Sequence, residues 1–211
     1  MTKTSAAKKK VVSERWALPA SQARSRATRE RLLDAAEIVF AEKGYDGAKI
    51  SDIAEEAGVS VGAVYFRFKD KDALFSAIAE AFIEQARAGL GALLAGTENA
   101  DRETVIRMFV AATARNFQTH RGLFRAIIER GFDHPPAMQT IFRFREELAD
   151  ALERTLYRKT NASLPIRVMT QMVYGFLFTG IMNRRAPTKI TDARAIAELA
   201  KACAAYLGET R

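Results

Sequence analysis

Between Lys49 and Leu74 the chain reads KISDIAEEAGVSVGAVYFRFKDKDAL, and few arrangements accommodate such a stretch. Ile50, Ile53, Ala54 and Ala57 recur at helical spacing and give a first short helix one apolar face. Gly58 follows where a left-handed residue is needed, a conformation that glycine adopts without a steric penalty. Val59 turns inward, and Ser60 is placed to cap a second helix whose buried face is Val64 and Phe68 at i and i+4. Small Ala54 and Gly58 let the two helices cross closely at a steep angle. A helix-turn-helix requires that geometry, with its second helix free to enter a DNA major groove. A helical hairpin in an ordinary core is the other arrangement open to these residues. The outward positions, unlike those of a solvated helix face, favour the first.

The remaining chain repeats the helical period. A helix is predicted over about 23–43, with Leu32, Leu33, Ala36, Val39 and Phe40 as its stripe and Gly44 as its stop. Asp70 is a cap for a long helix through about Leu94, and further helices are predicted over 102–119, 123–130 and 137–158. Pro165 opens a helix to about Arg185, apolar on nearly every side and therefore buried all round. The last helix runs over about 191–207. No strand-like alternation occurs, so the expected class is all-α.

Charge is distributed unevenly. The net +8 of the 211 residues lies almost wholly in residues 1–31, which hold nine Lys or Arg against two Glu. Residues 1–22 therefore read as a basic, mobile amino-terminal arm. Arg24, Arg26, Arg29 and Arg31 stand at the predicted start of the first helix, the wrong sign for its dipole, which suggests an external anionic partner. The arm is a candidate for reaching an adjacent minor groove; a solvated tail is the alternative. One cysteine, Cys203, excludes an intrachain disulfide. No signal peptide and no membrane-spanning run are recognised, so a cytoplasmic protein with no membrane partner is expected.

The pattern Gly44-Tyr45-Asp46, Ile53-Ala54, Ala57-Gly58-Val59-Ser60, Gly62, Tyr65, Phe68, Lys71 and Leu74 resembles the amino-terminal domain of the tetracycline-repressor (TetR) family. The motif covers roughly residues 24–75; beyond it the similarity rests on helix count and order. The resemblance implies a three-helix helix-turn-helix DNA-binding domain over 23–70. A six-helix effector-binding and dimerisation domain would follow over 71–211. It also implies a homodimer on a palindromic operator in double-stranded DNA, a small-molecule effector and repression as the usual outcome. Its dimer interface comes from the last two long helices, here placing Met172, Phe176, Gly180, Ile196, Leu199, Cys203 and Tyr206 at the contact.

With Val64 and Phe68 inward, Val61, Gly62, Ala63, Tyr65 and Arg67 are left toward the groove. Val61 and Ala63 can read only thymine methyls or shape, so hydrogen-bonded reading falls to Tyr65, Arg67 and Ser51. Lys49, Ser60, Lys69 and Lys71 are the expected phosphate contacts. The family commonly has threonine where Lys49 stands, and Ser51 is the alternative cap. The effector pocket is expected among Phe109, Arg115, Asn116, Phe117, His120, Phe124, Phe142, Met172 and Phe176. His120 and His134 are too few and too far apart to form a metal site with Cys203. No phosphate-binding glycine loop or nucleophile motif is present, so neither metal, cofactor nor enzymatic activity is expected. A sequence-tolerant structural DNA binder, and after it an all-helical enzyme, remain the alternatives.

Overall fold

The computed structural model describes residues 4–97, 99–130, 135–159, 163–183 and 185–209; side chains of 4–21, 135–137 and 209 lie outside the description. Nine helices occupy the described residues and no strand is found among them. Three form an amino-terminal head: α1 (Thr4–Gly47), α2 (Ile50–Glu56) and α3 (Val61–Tyr65). Six form the body: α4 (Lys71–Ala95), α5 (Arg102–Thr119), α6 (Arg121–Arg130), α7 (Pro135–Tyr157), α8 (Leu164–Met182) and α9 (Ala193–Glu209).

Helix α1 starts well before the expected residue 23, so its helical backbone runs through the segment read as an arm. Arg24, Arg26, Arg29 and Arg31 consequently stand in mid-helix, and the dipole argument about a basic helix start does not apply to them. The stripe Leu32, Ala36 and Phe40 is fully buried, the Leu32 and Phe40 side chains each contributing about 1.5–3 kcal/mol. Gly44 breaks the helix with φ 72°, leaving one further turn before α2. Phe40 and Tyr45 then meet Phe75 of α4 in an aromatic triangle, with ring centroids 5.4, 6.4 and 5.5 Å apart.

Head and body are joined by a second, polar seam between α1 and α6. Arg125 Nη1 donates to the Ala41 and Glu42 carbonyls at 2.8 and 3.1 Å, satisfying groups that a helix end leaves without partners. Glu129 accepts the Tyr45 N–H at 2.6 Å and the Arg125 Nε–H at 2.8 Å. His120 Nδ1 lies 2.9 Å from Glu37 Oε1. Between these contacts Gly122 crosses so near the Glu37 carbonyl that no Cβ could stand there. Buried apolar residues of head and body form one continuous core.

Candidate nucleic-acid interface

Helix α2 begins at Ile50 with Lys49 as its N-cap. Ser51 does not cap it. The Asp52 carboxylate instead reaches back to accept the Lys49 N–H at 3.1 Å and holds Lys43 Nζ at 3.0 Å. These contacts keep the Asp52 carboxyl below the usual carboxylate range, the Lys43 hydrogen bond contributing most. Gly58 takes φ 63°, and Ser60 Oγ accepts the Ala63 N–H at 3.2 Å to open α3. Asp70 caps α4 by accepting the Ala73 N–H at 2.7 Å. Val64 and Phe68 are buried, which turns the other face of α3 outward.

That outward face carries Val61, Gly62, Tyr65 and, adjoining the helix, Phe66, whose side chain is 84% exposed. Phe66 escaped the sequence reading, although its place between inward Val64 and Phe68 points it outward. Lys49, Ser51, Ser60 and Lys69 are exposed, and Ala63 is half-buried. Two expected contacts sit differently. Lys71 Nζ donates to the Tyr45 and Ala48 carbonyls at 2.6 and 3.0 Å and lies 4.4 Å from the Tyr45 ring centroid. Its ammonium ties α4 to the turn before α2, and burial there lowers its pKa. Arg67 is half-buried and folds back, Nη1 donating to the Ala63 carbonyl at 3.1 Å. Tyr65 is thus the exposed side chain of α3 that can hydrogen-bond, beside an apolar and aromatic surface.

In the body, α4, α5, α6, α7 and α8 line a cavity of about 520 Å³. Of the expected pocket residues, Phe109, Arg115, Asn116, Phe117 and Phe124 line it. A second lobe of about 260 Å³ takes Phe142 and shares a wall of Phe82, Phe124, Phe144 and Tyr174 with the first. Burial pushes the Tyr174 phenol up to about 12, against a smaller opposing effect of Arg145. His120 does not line either lobe. It pairs with Glu37 and sets its edge on Phe82 at 5.0 Å, behind the cavity wall. Met172 and Phe176 also line neither lobe.

Residues 32–78 match the family model described as bacterial regulatory proteins, tetR family. That match places a TetR-type DNA-binding motif in the head of this chain. The HTH-type transcriptional repressor Rv1474c of Mycobacterium tuberculosis is 47% identical over 53 residues, 25% of this chain and 28% of that protein. The HTH-type transcriptional regulator SrpR of Pseudomonas putida is 27% identical over 174 residues, 80% of each chain. In fold, a TetR-family transcriptional regulator from Mesorhizobium loti superposes with a TM-score of 0.71 at 18% identity. That superposition covers 88% of this chain and 97% of the other. The strongest sequence matches span from about a quarter to about half of the relatives' own length.

The body divides the expected dimer residues into two groups. Met172 is 38% exposed on α8, as Leu164 and Met182 of the same helix are exposed, while Phe176, Ile196 and Tyr206 are half-buried. Leu199 and Cys203 point the other way. Both are buried inside the protomer, so their side chains belong to its own core and are closed to a partner. Burial also pushes the Cys203 thiol up to about 11. Gly180 faces Ile190 of the same chain, where a Cβ would meet Ile190 Cγ2 at 2.5 Å. Asp133 and His134 lie outside the described residues. No described helix is long and apolar enough to cross a membrane.

Proposed function

We propose that the chain is a DNA-binding transcriptional regulator that works in the cytoplasm as a homodimeric repressor. It holds a palindromic operator and releases it when a small molecule fills the body cavity. The observation that carries this reading is the outward face of α3, which is exposed and apolar on an otherwise well-capped helix-turn-helix. A patch of exposed large side chains, here Val61, Tyr65 and Phe66, marks an interaction surface. Nearby Lys49 and Lys69 supply positive charge for phosphates.

Release is supported by two helices that line the cavity and also meet the head. Phe82 on α4 and Phe124 on α6 line both lobes. Helix α4 continues directly from the head, and α6 is bolted to α1 through Arg125 and Glu129. A ligand that fits better when α4 and α6 are displaced therefore biases the position of the reading face. It does so only by its differential affinity for the two states. Selection of binding sites from random DNA with the purified chain tests the proposal. A palindrome with half-sites about one helical turn apart, or a multiple of it, is expected. Equal retention of random DNA would instead make the chain a sequence-tolerant binder.

A further inference from the structure

We infer that the body cavity is built for an elongated apolar acid, and selects it over a neutral or cationic molecule of the same shape. The inference rests on the proposed effector role of the cavity and adds the charge and form of its ligand. The two lobes lie on either side of a shared aromatic wall, so a ligand that reached both would be long rather than compact. Three guanidiniums, Arg107, Arg115 and Arg145, line them, and no described lining residue is a carboxylate. Arg107 and Arg115 lie two turns apart on α5, both exposed at the rim, with Asn116 next to Arg115. Among the described residues none of the three guanidiniums sits in an ion pair. Arg107 donates to Thr104 Oγ1 at 3.3 Å and Arg145 to Gln171 Oε1 at 3.2 Å, both neutral oxygens. An entering carboxylate would meet Arg115 with charge-assisted hydrogen bonds while its apolar body displaced water inside.

The competing occupant is a lipophilic cation held against the rings. The aromatic faces are already partly taken. Arg145 lies 4.7 Å from the Tyr174 ring centroid. Phe117 and Phe124 stack on one another, 3.8 Å apart and 12° from parallel. A cation would thus find like charge at the rim and covered rings within.

Calorimetric titration of the full chain, free of DNA, with dodecanoate, 1-dodecanol and dodecyltrimethylammonium below their aggregation concentrations tests this directly. Dodecanoate should bind about tenfold or more tightly than dodecanol, and the ammonium more weakly than either. The Arg107→Gln/Arg115→Gln double variant should lose the preference for the acid while keeping its affinity for dodecanol, which doubles as the check on folding. A cation that binds as well as the acid would overturn the inference. So would a preference that survives in the double variant, or no binding by any of the three. Operator affinity is measured separately with each probe. Arginine-dependent binding of dodecanoate that leaves DNA affinity unchanged sustains the ligand class and refutes the regulatory role of the cavity.

Discussion

Lys71 spends its charge inside the protein. Its two hydrogen bonds to the Tyr45 and Ala48 carbonyls hold the head against the start of α4. Lys71→Met should therefore lower the unfolding free energy by roughly 1–3 kcal/mol in urea denaturation, beyond any change in DNA affinity. Phe66→Ala should do the reverse, reducing operator affinity several-fold while leaving thermal stability unchanged, because the ring is exposed and packs on little. Tyr45 carries a pH dependence. Burial and the Asp72 hydrogen bond, in that order, raise its phenol above the usual range, so the folded state holds the proton more tightly. Its contribution is intact below about pH 10 and falls as pH rises further. Unfolding free energy of wild type against Tyr45→Phe, measured from pH 8 upward, should show a shallower alkaline decline in the variant. The outward set on α3 was legible from two inward residues, since Val64 and Phe68 fix the face. The fates of Arg67 and Lys71 were not, because neither spacing nor charge reveals which carbonyl a long cationic side chain will find.

At the scale of elements, the helix count and order follow from apolar periodicity, and the caps from Ser60 and Asp70, each visible in its own few residues. The seam between α1 and α6 follows from nothing local. Its hydrogen bonds join residues more than eighty apart in sequence, and Gly122 reads on paper as an ordinary interruption. In the structure that glycine allows two backbones to touch. Gly122→Ala should force the helices apart and cost at least the roughly 1–3 kcal/mol of a misfitting core insertion. Denaturant titration would read it, and an unchanged midpoint would show the crossing to be looser than described. The length of α1 is the other departure. A Lys- and Ala-rich segment containing Pro19 signals an arm, yet its backbone continues the helix. An extended arm in a minor groove would need that helix to unwind. Deleting residues 1–20 and measuring operator affinity against salt tests any role for it, a shallower slope of log K being expected if its lysines meet phosphates.

Across the whole molecule, one core runs from Leu32 to Leu207 without a gap between head and body. A single cooperative unfolding transition is expected when calorimetry and circular dichroism are compared, despite the two functional regions. The dimer reading concentrates on α8, where Leu164, Met172 and Met182 are exposed. Met172→Glu should shift the sedimentation coefficient toward the monomer at micromolar concentration while leaving the helical signal intact. Legibility in the sequence ends at this scale. Leu199 and Cys203 looked as suited to a partner as Met172, because apolar character does not say which side of a helix its own fold will claim.

The bolt between α1 and α6 bears on how readily the head and body of such a fold can be recombined. A reading head transplanted at residue 70 would arrive without the Gly122, Arg125 and Glu129 that receive it. Foreign carbonyls and a foreign turn would then face a seam shaped for others. The interchangeable unit is discontinuous: the first seventy residues together with one face of a helix fifty residues downstream.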